Sequence, residues 1–260
     1  MNYTILQMRE IFHLEFLRWF SRKIKMDYFA LKGGVNLRFF FESIRYSEDM
    51  DIDIHTVGID RLKESVMNIL ANSAFKNTLR SFGIVNIIAP NIIKAKQTKT
   101  TQRFKIHLIT ASDEDLYTKV EFSRRPAQGH AVVESVGPHI TYIYKINPVL
   151  VSHYDLASAI QQKIIVLAHR SIVQPRDIFD LFLLSSRYEP TVSDTIAIND
   201  SDRKKATENI FSVEFSHFKD TVVSFLSFED RAVYRSAHVW DEIRLKAAKL
   251  VDDIWRMNQS

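Results

Sequence analysis

The chain contains no cysteine, and only six of its 260 residues are glycine. Without cysteine there is no disulfide framework, thiolate zinc site, iron–sulfur cluster or cysteine nucleophile. The glycines are too few for the multi-glycine phosphate loops: neither G-x-G-x-x-G nor G-x-x-x-x-G-K-[ST] occurs. G-x-S-x-G and H-E-x-x-H are missing too, which removes common serine-hydrolase and zinc-protease signatures. The nine histidines form no i, i+4 pair on a plausible helix, which argues against zinc. Long uncharged runs are also lacking. The apolar N-terminal stretch is interrupted by Arg9, Glu10, Glu15, Arg18 and Arg22, too often for a signal segment or a membrane span. The expectation is a cytoplasmic protein with no membrane partner.

What is present is an ordinary globular composition, 46% hydrophobic and 25% charged. The length suits one large domain or two small ones, with a real core either way. The formal net charge of +4 permits an anionic partner without requiring one.

Hydrophobic periodicity divides the chain. Ile5, Met8, Phe12, Phe16, Trp19 and Phe20 fall near one face of a helix over 5–24. A short apolar run, Tyr28–Leu31, leads through Lys32 into the adjacent pair Gly33-Gly34, and Val35–Ser43 reads as a helix. Further helix is expected over 60–81, then strands at 84–94, 102–110, 117–123 and 139–146. Helices follow at Asp155–Ser171 and Arg176–Ser186, a loop at Tyr188–Asp202, and two or three helices over 203–258. The layout is an α/β domain over 1–150 and a helical domain over 151–260.

The run Asp49-Met50-Asp51-Ile52-Asp53-Ile54 alternates strictly, so in a strand the three acids share one face. Carboxylates two residues apart repel and raise each other's pKa unless something positive lies between them. A divalent cation resolves this, because Mg²⁺ takes hard oxygen ligands, usually one or two carboxylates plus substrate phosphates. An exposed edge strand whose acids only solubilise it is the plainer explanation, and the motif alone does not separate the two. Asp53 is the weakest of the three candidates, a further ~7 Å along the strand.

Gly33-Gly34 stands where an apolar run meets a helix. Free backbone N–H groups and the positive helix end favour a phosphate there, and the missing Cβ atoms allow close approach. A plain helix-entry turn would explain a lone Gly-Gly as well. Here, however, fourteen residues separate Gly34 from Asp49. A strand–GG–helix–acidic-strand unit would hold a triphosphate between amide donors and a bound metal.

Two blocks of residues now resemble a family. Leu31-Lys32-Gly33-Gly34-Val35-Asn36-Leu37-Arg38, followed by Arg45-Tyr46-Ser47-Glu48-Asp49-Met50-Asp51-Ile52, is similar to the K-G-G-T-A-L and R-[FY]-S-x-D-[ILM]-D pattern of the AbiEii/AbiGii-type nucleotidyltransferase toxins. These belong to the polymerase-β-like nucleotidyltransferase superfamily. A later helical signature matches too: Lys163, Arg170 and Arg176-Asp177-Ile178-Phe179-Asp180-Leu181. The resemblance covers roughly 28–185. Val35 and Asn36 depart from the small and hydroxyl residues usual after the glycines, which removes a hydroxyl contact to phosphate.

The resemblance implies an α/β (α+β) nucleotidyltransferase core with a mixed sheet, followed by a C-terminal helical bundle. It implies a metal, Mg²⁺ or Mn²⁺, at Asp49 and Asp51, and a triphosphate at Lys32, Gly33, Gly34 and Lys163. Arg170 assists or pairs with a carboxylate, and Asp177 is an active-site acid. Asp177 also suits the first turn of its helix, and Asp180 sits i+4 from Arg176 as a standard helical ion pair. Glu121, out of phase with Val120 and Phe122, is the candidate third metal-associated carboxylate or general base. Ser47 would lie on the ligand face. Lys94, Lys96, Lys99, Arg103, Lys105 and Arg124-Arg125 make a basic stretch that suits RNA or is simply solvated.

The reading is an NTP-using nucleotidyltransferase acting on an acceptor hydroxyl. The resemblance implies the toxin of a bacterial toxin–antitoxin or phage-defence pair, with a cognate antitoxin as partner and a tRNA 3′ end or other RNA as acceptor. The alternatives are transfer to a small molecule such as an aminoglycoside, and a catalytically silent RNA-binding module.

Overall fold

The computed structural model describes residues 3–92, 95–126, 129–189, 196–257 and 259. The first amphipathic pattern forms α1 (Ile5–Lys23). A capping box closes its start: the Thr4 hydroxyl accepts from the Gln7 amide, and the Gln7 side chain accepts from the Thr4 amide. β1 (Phe29–Lys32) runs without a loop into α2 (Gly33–Phe40), and the acidic run forms β2 (Asp49–Ile54). The single helical span expected over 60–81 is two helices, α3 (Ile59–Ala71) and α4 (Ser73–Arg80). Asn72 between them is extended, and its side chain caps α4 by accepting from the Ala74 and Phe75 amides.

β3 (Ile84–Ile88), β4 (Thr101–Thr110) and β5 (Asp115–Ser123) follow, then β6 (Ala131–Ser135) and β7 (Leu150–Tyr154). The strand expected at 139–146 is instead α5 (Pro138–Tyr144). Pro138 at the first helical position favours helix entry, and burial of Ile140, Thr141 and Tyr144 follows helical spacing, overriding their strand propensity. The sequence reading missed β6 and β7.

The seven strands form one mixed sheet in the order β3-β4-β5-β2-β1-β7-β6. β2 with β5 and β1 with β7 are parallel pairs; the others are antiparallel. Met50, Ile52, Ile54, Phe104, Ile106, Leu108, Val120 and Phe122 share one face. They are buried with Phe12, Phe16 and Phe20 of α1, Val66 and Ile69 of α3, and Phe75 and Leu79 of α4. Each such side chain contributes about 1.5–3 kcal/mol on burial. A one-residue slip of β2 would drive its three aspartates into that core, so the apolar face fixes the register that presents the acids on the other.

The chain divides into two compact units. One comprises Met1–Glu42, Tyr46–Ala127 and Ala131–Tyr154 and holds the sheet; the other comprises Ser43–Arg45, Gln128–His130 and Asp155–Ser260. The second contains α6 (Leu156–His169), α7 (Pro175–Ser185), α8 (Asp200–Ser212), α9 (Phe215–Thr221), α10 (Phe228–Val233) and α11 (Ala237–Met257). The tail expected to form two or three helices thus forms four, α8 to α11. In its core Phe218 stacks on Trp240 at 4.3 Å, and the Trp240 indole donates to the Val213 carbonyl at 3.0 Å. Of the loop expected over 188–202, residues 190–195 lie outside the described residues, and the last three already belong to α8. Among the described residues no helix is long and apolar enough to cross a membrane.

Candidate active site

Opposite its apolar face the sheet is charged. The register sets Arg103, Glu121, Asp51 and Lys32 side by side across β4, β5, β2 and β1, with Lys105, Lys119 and Asp49 in the next row. Lys119 Nζ lies 2.9 Å from Asp49 Oδ2, and Arg103 lies 2.6 Å from Glu121 Oε2. Asp53 is engaged through both oxygens: Lys32 Nζ is 2.5 Å from Oδ1, and the Tyr154 hydroxyl donates to Oδ2 at 2.8 Å. Asp49 is not. Its Oδ1 is buried and, among the described residues, has no partner. Burial first, then the charges of Glu121 and Asp49, push the Asp51 carboxyl above its usual range against the pull of Lys119 and Lys32. Burial alone would lower the Lys119 ammonium, but its hydrogen bond to Asp49 and the charges of Asp49, Asp51 and Glu121 hold it above the ordinary lysine value.

The glycine pair meets this row directly. Gly33 has φ +69°, a left-handed conformation, and a Cβ built there would lie 3.2 Å from Asp51 Oδ2. The first turn of α2, which contains Gly34, therefore abuts the Asp51 carboxylate. The N-cap residue is Lys32, whose ammonium cannot accept a hydrogen bond, so it caps none of the first-turn amides. Those amides form a donor-rich turn suited to an anion. Val35 and Asn36, which depart from the family pattern, serve the fold. Val35 is in the core; Asn36 Nδ2 donates to the Tyr154 carbonyl at 2.9 Å, and its Oδ1 lies 3.0 Å from His153 Nδ1. Ser47 donates to the Asp49 carbonyl at 2.8 Å and braces the entry to β2.

A neutral histidine supports the same entry. The Thr118 hydroxyl donates to the Glu48 carbonyl at 2.7 Å, so the 2.9 Å contact with His13 Nε2 makes that nitrogen the donor. Burial, and then the charge of Arg9, lower His13 to about 3.

The later motif residues form their own ladder in the helical unit. Arg170 Nη1 lies 2.5 Å from Asp177 Oδ2, and Lys163 Nζ lies 2.8 Å from Asp177 Oδ1 and 2.5 Å from Asp180 Oδ2. Arg45 grips Asp180 with two bonds of 3.0 Å. The i+4 pair expected between Asp180 and Arg176 is corrected here: Asp180 is fully buried and bonds Arg45 and Lys163. Burial would raise its carboxyl, but the charges and hydrogen bonds of Arg45 and Lys163 hold it at about 2. Burial likewise opposes the Lys163 ammonium and is outweighed by Asp177 and Asp180, which raise it.

Of the basic stretch, Lys96, Lys99, Lys105 and Arg125 are exposed. Arg103 is held by Glu121, and Arg124 donates to the Val57 carbonyl and to Gln102 Oε1. Lys94 lies outside the described residues. Lys119 shares the phase of Glu121 but was not among the expected site residues; Arg45 opens the second motif block without its partner being visible, and Tyr154 and His13 gave no signal, because all three partners lie more than a hundred positions away.

The donor set suits a hard divalent ion: two carboxylates on one strand face, one of them keeping a buried, unpartnered oxygen. Among the described residues no three histidine, aspartate or glutamate side chains form a metal-holding group.

Residues 15–255 match the family model described as nucleotidyl transferase AbiEii toxin, type IV TA system. The chain belongs to the AbiEii family. It is a nucleotidyltransferase of the toxin class, which implies an NTP substrate and an antitoxin partner. The AbiEii chain is similar in structure to MenT4, a nucleotidyltransferase toxin of Mycobacterium tuberculosis H37Rv. That match has a TM-score of 0.55 and 15% identity, covering 95% of this chain and 85% of that one. JHP933 from Helicobacter pylori matches with a TM-score of 0.51 and 18% identity, covering 96% and 91%. At these identities the likeness is one of fold. No curated protein matches the chain. The AbiEii fold is thus a mixed seven-stranded sheet with helices and a helical C-terminal region.

Proposed function

We propose that this AbiEii chain transfers a nucleotidyl group from an NTP to an RNA 3′ hydroxyl in a reaction dependent on Mg²⁺ or Mn²⁺. The observation that carries the reading is the meeting of Gly33 with Asp51: a Cβ built on Gly33 would lie 3.2 Å from Asp51 Oδ2, and two residues away on the same strand face Asp49 Oδ1 is buried with no partner among the described residues. Asp49 and Asp51 would hold the ion, whose chemistry is to neutralise charge on the phosphoryl oxygens. The first turn of α2 holds the triphosphate by its amides, and Lys32 and Lys119 add positive charge beside it.

In the transfer the acceptor oxygen bonds to the α-phosphorus, the α–β phosphoanhydride bond breaks, and pyrophosphate leaves. Glu121, aligned with Asp51, is the carboxylate we assign to receive the hydroxyl proton. Catalysis is mainly positioning and charge neutralisation. Lys163, Arg170 and Asp177 enter this reading through the family resemblance alone; their hydrogen bonds are to one another and to Asp180. The exposed cations Lys96, Lys99, Lys105 and Arg125 favour a polyanionic acceptor over a small cationic one.

The test is incubation of the protein with each labelled NTP, Mg²⁺ and total RNA. Label on an RNA 3′ end, lost in Asp49→Asn, is the expected result. Unlabelled RNA with all four NTPs, beside an active positive control, would defeat the RNA reading and turn attention to small-molecule acceptors.

A further inference from the structure

We propose that Lys119 is a resident counter-cation of the acid cradle. Its ammonium holds Asp49 in the metal-free protein, leaves that carboxylate when a divalent ion binds, and then serves as a donor to the bound triphosphate. The proposal rests on the metal reading given above.

The face at issue carries Asp49, Asp51 and Glu121 in adjoining register positions. Arg103 answers Glu121, and Lys32 bonds Asp53. That leaves Lys119 as the cation bonded to Asp49, at 2.9 Å through Oδ2. Removing it would set Asp49 and Asp51 against each other on one strand face with less compensation. The pair is mostly shielded, with side chains 21% and 26% exposed, so solvent does not erase the interaction.

A divalent ion on the same carboxylate approaches to about 2.0–2.1 Å. An ammonium in hydrogen-bond contact with that carboxylate then faces like charge at short range, so the two occupants antagonise each other. Lysine suits such an exchange. Its single charge sits on a flexible four-carbon stem, without the two-point grip of a guanidinium. Once displaced it remains on the face where α2 presents its amides, and a triphosphate offers it a new partner. Ion and nucleotide therefore bind with positive coupling, because each removes an obstacle to the other.

The experiment is calorimetric titration of the full chain with Mn²⁺, alone and with a non-hydrolysable α,β-methylene NTP, in wild type, Lys119→Met, Lys119→Gln, Lys119→Arg and Asp49→Asn. In either neutral variant Mn²⁺ alone should bind on the order of tenfold more tightly, and the gain in Mn²⁺ affinity from adding nucleotide should shrink. Lys119→Arg, whose two-point grip on Asp49 is harder to displace, should bind Mn²⁺ no more tightly than wild type. A merely structural lysine would not tighten metal binding when lost. Unchanged or weaker Mn²⁺ binding in the neutral variants, with Asp49→Asn still abolishing it, overturns the role of Lys119 and leaves the metal reading standing. Equal binding by wild type and Asp49→Asn, or none by any variant, removes the metal reading and this proposal with it.

Discussion

Two charged rows run through this protein, and they end differently. In the helical unit, Arg170, Asp177, Lys163, Asp180 and Arg45 form a ladder with a cation at each end, and Asp180 has both oxygens bonded. In the sheet, Arg103, Glu121, Asp51, Asp49, Lys119 and Lys32 use the same chemistry, but Asp49 keeps a buried oxygen unpaired and Asp51 is pushed above its usual range. A satisfied ladder stabilises a fold, whereas an unpartnered buried carboxylate oxygen costs free energy until something pairs with it. Charge in a row is thus not by itself the mark of a site.

Breaking the closed ladder should have the largest effect on stability. Asp180→Ala leaves the Arg45 and Lys163 charges buried without their shared carboxylate, and should cost about 3–5 kcal/mol in urea denaturation. Breaking the open row should do the reverse. Asp51→Asn should lower nucleotide transfer by on the order of 10²–10³-fold, while the urea midpoint stays level or rises because a repulsive charge is gone. A large loss of stability in Asp51→Asn would erase the distinction between the two rows.

Acid titration sharpens it further. Asp180 is held at about 2, below the ordinary 3.8, so its contribution to stability is complete above about pH 4 and is lost as pH falls toward 2. That component, on the order of 2 kcal/mol by linkage, should be missing from the pH profile of Asp180→Asn. His13 adds a separate slope. Its folded value of about 3 lies below the ordinary 6.5, so stability is lost as pH falls from about 6.5 toward 3. His13→Gln should flatten that interval. The smallest effect is expected for Gly33→Ala, about 1–2 kcal/mol from a side chain in a left-handed conformation, read as a lower melting temperature.

Much of the open row could be read from the chain because its signals are local. The alternation of 49–54 fixed strand and face together, and Gly33-Gly34 marked the start of α2. The closed ladder was only half visible. Asp180 looked like the partner of Arg176, four positions back, because sequence spacing reveals neighbours on one helix and hides a guanidinium 135 positions away. β6 and β7 were missed for a related reason: β6 is mostly exposed and carries no alternation. The helix at 138–144 shows that one proline at the right position outweighs a strand-like composition.

The direct passage of β1 into α2 also sets an order of assembly. Phe29 to Ile54 is a local stretch, so its strand pair and glycine turn can form from a short length of emerging chain. The β5 side arrives much later: Thr118 reaches back 70 positions to Glu48, and Lys119 comes with it. Until then the nascent acids face one another with one fewer cation beside them. A β1–β2 stretch emerging from the ribosome therefore carries its acid face without Lys119 until β5 has been made.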